Sequence, residues 1–256
     1  MELTHLKNLN PHERDQRTDF DEPTHVYTID GDSGYTSVTT WNNIHFEHFD
    51  ADQIIRNMMN SPKWPTNKYY GKTPDEIKAL WNKNRDESAS AGTKLHYDIE
   101  CFYNKSHVEN TSIEYQYFKN FLEDFPELNS RPYRTEWTVF HEEWRLAGSI
   151  DMIFENEDGT LQIYDWKRCK DIRKTRQWGK FAITPCIEHI PDTNYWHYCL
   201  QLNTYKAIIE SKYGKKVTDM YLVCMNPENK KKNYERIAVA NLQEELNDLM
   251  IWKQNL

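Results

Sequence analysis

Apolar residues recur along the chain with two periods, and the change from one to the other divides it. Between Tyr133 and Lys167 hydrophobic positions alternate with polar ones or gather in short blocks, as YRTEWTVF, WRLAGSIDMIF and TLQIYDWK. That is the pattern of strands. It predicts strands near 133–140, 144–154 and 160–167, the last two joined by a turn at Glu157-Asp158-Gly159. On either side the spacing lengthens toward a helical period. Asp50 with Gln53 caps a helix reaching about Met59, and Thr73-Pro74-Asp75-Glu76 opens another that runs to about Ser90. Gly92 is expected to interrupt it before a second helical stretch, TKLHYDIECFYN, and a further helix fits 112–124, ended by Pro126. Downstream, WHYCLQLNTYKAIIESKYG reads as a helix stopping at Gly214, followed by strands at 217–225 and 234–240 and a helix over 241–254. Near the start, residues 1–24 are polar and read as an arm, while HVYTI (25–29) and YTSVTTW (35–41) read as a short hairpin. The expectation is one α/β domain over 25–256. Its 25–130 portion is mainly helical, 131–240 forms a sheet core, and 241–256 is a C-terminal helix.

Composition sharpens this picture in two places. The 256 residues, 38% hydrophobic and 28% charged, suit a globular chain with a sizeable core. The N-terminal MELTHLKNLNPHERDQ lacks the apolar stretch of a signal peptide, and no run approaches membrane-spanning length. An intracellular protein without a membrane partner is expected. Few glycines and many Lys and Asn fit an AT-rich, viral or phage, genome. Cys101, Cys169, Cys186, Cys199 and Cys224 are scattered and show no C-x-x-C pair, which argues for reduced thiols. Net charge is −8, yet it divides into −13 over residues 1–160 and +5 over 161–256. Seven basic residues fall in Lys167–Lys180, KRCKDIRKTRQWGK, against the single acid Asp171. Such a run alone describes a solvated face. Here it leaves directly from an unusual hairpin.

That hairpin, AGSIDMIFENEDGTLQIYDWKRCK, carries Asp151 in one arm and Asp165 and Lys167 in the other. Ile163, Asp165 and Lys167 share one face of their strand, and the neighbouring arm brings Asp151 alongside. A buried structural ion pair is one account, but desolvating each ion costs several kcal/mol and one charge is left over. A divalent cation is the other account, since it offsets two carboxylates and prefers their oxygens.

The wider pattern decides between them. Gly148-Ser149-Ile150-Asp151 and Asp165-Trp166-Lys167 resemble the G-x-x-D and (D/E)-x-K strands of the PD-(D/E)xK nuclease superfamily. Gly92 through His96 to Glu100 resembles the G-x-x-x-H-x-x-x-E helix of its RecB-like branch, and Gln201 with Tyr205 that branch's Q-x-x-x-Y helix. Glu136 stands where many members have a glutamate. The resemblance covers roughly residues 25–225. It implies a restriction-endonuclease-like core, a mixed central sheet flanked by helices. It also implies one or two Mg²⁺ or Mn²⁺ ions held by His96, Asp151, Asp165 and the backbone carbonyl of Trp166, with Glu100 and Glu136 in support. Imidazole among oxygen ligands favours Mn²⁺. Lys167 would orient or deprotonate water, or stabilise charge, while Gln201 and Tyr205 would donate to the phosphate and to Lys167. Helices at i and i+4 place His96 with Glu100, and Gln201 with Tyr205, on common faces. Iron–sulfur members hold their cluster with closely spaced cysteines. Cys186, Cys199 and Cys224 are too far apart for that, so no cluster is expected.

The function implied is phosphodiester hydrolysis on DNA, from a free single-stranded end or an end-bearing duplex, with RNA as an alternative substrate. Arg168, Lys170, Arg173, Lys174, Arg176 and Lys180 would hold the strand's backbone. Trp64, Tyr69, Tyr70 and Trp178 are candidates for stacking on bases. The helical portion is expected to arch over the site opposite the basic segment. The chain has no helicase P-loop, so a separate helicase or recombination partner fits. Two rivals stay open: a structure-specific DNA or RNA endonuclease on the same fold, and a catalytically silent nucleic-acid-binding module.

Overall fold

The computed structural model describes residues 3–175 and 179–255. Its helices are α1 (His5–Leu9), α2 (Val38–Asn43), α3 (Ala51–Met59), α4 (Pro74–Tyr103), α5 (Ile113–Asp124), α6 (Pro126–Asn129), α7 (Asn194–Lys212) and α8 (Gln243–Gln254). Its strands are β1 (Thr18–Asp21), β2 (Val26–Ile29), β3 (Thr36–Ser37), β4 (Pro132–His141), β5 (Leu146–Glu155), β6 (Leu161–Lys167), β7 (Val217–Cys224) and β8 (Glu235–Ala238). The chain divides into two compact units, residues 1–47 with 95–256, and residues 48–94. No helix among the described residues is long and apolar enough to cross a membrane.

The larger unit is built on a six-stranded mixed sheet. β5 pairs antiparallel with β4 and β6, β6 runs parallel to β7, and β8 closes the edge antiparallel to β7. The parallel β6–β7 pair needs a crossover, and α7 lies within it. Alternation sends the two faces of the sheet into separate cores. Leu161, Ile163 and Leu222 pack with Leu200, Leu202 and Ile208 of α7 and Leu246 and Leu249 of α8. Tyr164, Trp166 and Val223 pack with Leu95 and Ile99 of α4 and Phe118 and Phe121 of α5. The sheet is therefore covered by helices on both faces, which explains why its strands read as nearly continuous apolar runs.

Three local expectations are corrected. Residues 35–41 do not form a hairpin strand: Thr36 and Ser37 pair briefly with Leu146 and Ala147, and Ser37 then caps α2 by accepting the Thr40 N–H. β-branched Val and Thr suggested a strand, and the serine cap overrode them. β2 instead pairs with β1, which lies in the stretch read as an unpatterned arm. Gly92 does not interrupt α4, which runs unbroken for 30 residues. One mid-helix glycine costs only about 1 kcal/mol. The helix caps at Asp50 and Ser112 form as their sequences imply.

In the smaller unit α3 buries Ile55 and α4 contributes Ile77. Lys78 pairs with Asp52 at 2.5 Å. Trp81 lies 6.1 Å from Phe49 and 6.0 Å from Tyr69, ring to ring.

Candidate active site

β5 and β6 separate at the point where their carboxylates face each other. Their ladder runs from Glu155↔Leu161 to Met152↔Tyr164 and stops, so Asp151 and Asp165 occupy the next position along. Beyond it the Trp166 N–H, which a strand neighbour would otherwise accept, donates to Asp151 Oδ2 at 2.9 Å. On the other side of β5 the pairs Thr135↔Met152 and Trp137↔Ile150 flank Glu136, which therefore stands opposite Asp151 across the β4–β5 ladder. Glu136 has φ +42°, a left-handed backbone that is strained for a glutamate. The alternation of β5 also slips here: Ile150 belongs to the core under α7, and Met152 to the core under α4 and α5.

α4 supplies the imidazole. His96 Nε2 lies 2.7 Å from the Trp166 carbonyl oxygen, and Nδ1 lies 3.5 Å from Asp151 Oδ2. One ligand atom each from His96, Glu136 and Asp151 lie within 4.8 Å of one another. This donor set, two carboxylates and an imidazole beside a carbonyl, fits a divalent cation. Ser149 Oγ donates to Glu136 Oε2 at 2.8 Å. Asp165 turns to Lys167, whose Nζ is 2.7 Å from Asp165 Oδ2 and 4.6 Å above the Tyr198 ring. Gln201 Nε2 donates to the Tyr205 hydroxyl at 3.3 Å. Gly148 is required by that tyrosine. A Cβ there would stand 2.8 Å from Tyr205 Cε1 and 2.9 Å from its oxygen.

The electrostatics follow from desolvation and from acids set close together, Asp165 fully buried and Glu100, Glu136 and Asp151 half-buried. Burial, then the Asp151 charge, pushes the Glu136 carboxyl up to about 8. Burial, and then the Glu22 charge, raise Glu100 to about 7. Asp165 is raised to about 6 by burial, with Lys167 opposing the shift and Asp151 adding to it. Burial alone would lower the Lys167 ammonium, but Asp165 and Asp151 hold it above its ordinary value. Glu100 and Glu136 also line a polar cavity of about 200 Å³ with Lys7, Thr18 and Thr135.

The fold thus brings together His96, Glu136, Asp151, Asp165, Trp166 and Lys167, with Gln201 and Tyr205 close by. Glu136 stands among the candidate ligands rather than behind them, and Asp165 is directed to the lysine. The basic residues are mostly engaged. Arg168 Nε lies 2.5 Å from Glu114, Arg173 Nε lies 2.8 Å from Asp171, and Lys170 and Lys180 pair with Glu228 and Glu47. Lys174 lies 4.7 Å above the Tyr195 ring. Arg176 and Trp178 fall outside the described residues. Trp64, Tyr69 and Tyr70 belong to the smaller unit. There Tyr69 meets Trp81, and Tyr70, 59% exposed, lies 5.8 Å from Trp64. Sequence reasoning missed Tyr27, whose buried hydroxyl is raised to about 12 by burial and then by Glu136. It also missed Tyr198, at a helical position beside the recognised Gln201 stripe. The stripe itself was the available signal for Tyr198; Tyr27 had none.

A mixed sheet between helices opens at a pair of acids with an imidazole and an ammonium beside them, a charge pattern that suits a cation and an anionic ligand together. Residues 69–256 match the model of the PD-(D/E)XK nuclease superfamily, and the chain belongs to that superfamily. It is a nuclease with a restriction-endonuclease-like fold, of a superfamily whose members generally use divalent metals and act on nucleic acids. A crystal structure titled "Putative exonuclease" from Eubacterium rectale is similar over 58% of this chain and 67% of that one. The identity is 14% and the TM-score 0.30. No curated protein matches the sequence.

Proposed function

We propose that this nuclease is a divalent-metal-dependent deoxyribonuclease of the RecB-like branch that degrades DNA from a free single-stranded end. The observation that carries the reading is the convergence of His96, Glu136, Asp151 and the Trp166 carbonyl beside the Asp165–Lys167 pair. The helix motifs of His96 with Glu100 and of Gln201 with Tyr205 resemble that branch, and the restriction to a free end is what membership of the branch implies.

His96, Glu136, Asp151 and the Trp166 carbonyl would hold the cation. When bound, it supplies charge that polarises the scissile phosphate and lowers the pKa of a water. Asp165 holds Lys167 at 2.7 Å, so the ammonium is fixed where it can meet a phosphate oxygen and offset the charge gained at phosphorus. Tyr198 beneath it restricts its direction. Tyr205, set against Gly148 and tied to Gln201, fixes a hydroxyl and an amide on the α7 side of the same opening. Mn²⁺ suits this donor set through its imidazole.

The test compares end-labelled linear single-stranded DNA with a covalently closed circle of the same sequence, in Mn²⁺ and in Mg²⁺, with an RNA strand in parallel. The linear DNA should be degraded progressively and the circle spared. Cleavage of the circle at the linear rate would show an endonuclease, and preference for the RNA would replace the substrate class.

A further inference from the structure

The turn between β7 and β8 carries three consecutive lysines, Lys230, Lys231 and Lys232, all exposed and none used by the candidate site. Lys231 pairs with Glu235 at 2.9 Å. Lys232 Nζ reaches the Pro227 carbonyl at 3.4 Å and its charge is felt at Glu228, but neither it nor Lys230 forms an ion pair among the described residues. The turn is firmly held. Asn229, 5% exposed, accepts the Lys231 N–H at 3.0 Å and donates to the Asn233 carbonyl at 3.1 Å. Asn233 in turn accepts from Asn120 of α5 at 2.9 Å. The ammonium groups therefore project from a fixed backbone.

Their position links them to the site. β7 leads out of the sheet beside β6, with Cys224 in register with Lys167. The next residue, Met225, donates its N–H to the Lys167 carbonyl at 2.8 Å. Three residues on, Glu228 pairs with Lys170. The turn is thus pinned to the basic segment that follows β6, and Arg168, Lys170 and Lys230–Lys232 line adjoining chain ends. Arg168, Lys170 and Lys231 are balanced by Glu114, Glu228 and Glu235, so the positive charge this region offers a polyanion is that of Lys230 and Lys232.

We propose that Lys230 and Lys232, with Lys231 between them, bind the phosphodiester backbone of the substrate strand away from the scissile bond. The inference rests on the nuclease reading and adds a second contact surface to it. Ammonium–phosphate contacts of this kind are independent of sequence and release counterions, so they weaken as salt is added.

The experiment pairs the double variant Lys230→Glu/Lys232→Glu with Lys216→Glu, an exposed lysine at the far end of β7. An eight-residue strand places the two ends about 26 Å apart. Binding of a labelled single-stranded oligonucleotide is followed by anisotropy in EDTA, over a salt series. The double variant should bind about tenfold more weakly at low salt. Its plot of log K against log salt should be shallower by about 1.4, for two phosphates on a single strand. Lys216→Glu should keep the wild-type slope. Hydrolysis of bis(p-nitrophenyl) phosphate, too small to span the turn and the site, should be equal in all three proteins. Wild-type affinity and slope in the double variant would overturn the inference, and so would an equal loss in Lys216→Glu or a fall in hydrolysis of the small ester. Failure of the wild type to cleave any nucleic acid, by contrast, would remove the reading on which it rests.

Discussion

At the scale of single residues, close approach and charge balance govern the site. Tyr205 lies where Gly148 has no side chain, so Gly148→Ala should cost about 1–3 kcal/mol through overpacking, measured by urea denaturation. Asp151→Asn should reduce hydrolysis about 100-fold or more while leaving the fold intact. Its amide oxygen can still accept the Trp166 N–H, and one of the crowded anions is removed. Lys167→Ala should lose activity equally but also lose stability, because Asp165 keeps its burial without its partner. Unchanged activity in either purified variant would contradict the assignment. Much of this site could be read from the chain. Asp151, Asp165 and Lys167 declare themselves by chemical type, being costly in so apolar a hairpin, and His96 by its spacing to Glu100. The approach of Tyr27 and the left-handed turn at Glu136 could not be read. Tyr27 comes from a strand more than a hundred positions away from Glu136, and nothing in the local composition marks either feature.

At the scale of elements, the N-terminal segment departs furthest from its expected role as an arm. Asp15 accepts from Arg134 at 2.8 Å, from the Trp137 indole at 2.9 Å and from the His12 N–H at 3.1 Å, and so ties residues 12–18 to β4. Polar residues there mimic a disordered tail because their partners lie more than a hundred positions away. Asp15→Ala would strand a buried guanidinium and should cost about 3–5 kcal/mol, read as a fall in unfolding free energy. Burial raises the Asp15 carboxyl, but Arg134 outweighs it and holds it below its ordinary value of 3.8. The stabilisation is therefore complete above that value and is lost as pH falls through the depressed one. The central strands and α7 were legible, since their periods are long and clean. The α2 helix was not, because Val38, Thr39 and Thr40 favour a strand until Ser37 caps them.

At the scale of the whole molecule, the layered core was legible from the switch of period, but the division into two units was not. A helix continuous through Gly92 carries no break in its pattern where residues 48–94 part from the rest. The core also sets a pH dependence. His45 is fully buried, with Nδ1 2.8 Å from the Thr184 hydroxyl, and burial followed by the Lys253 charge lowers it from 6.5 to about 4. The unfolded chain takes up a proton near 6.5 that the folded state refuses until about 4. His45 therefore contributes fully above 6.5, and that contribution declines as pH falls toward 4. Compared with His45→Gln, which does not titrate, the wild type should lose relative stability across that window in urea titrations. A constant difference would show that the histidine titrates normally.

The amide of Trp166 gives up a strand neighbour for the Asp151 carboxylate, and this makes it a reporter. A backbone proton bonded to a carboxylate resonates far downfield, and its shift responds to whatever else that carboxylate binds. In a ¹⁵N-labelled sample the Trp166 cross-peak should move as a diamagnetic cation such as Mg²⁺ is titrated. In Asp151→Asn it should sit upfield and stay there. Occupancy of the site could then be followed in the resting protein, without substrate and without turnover.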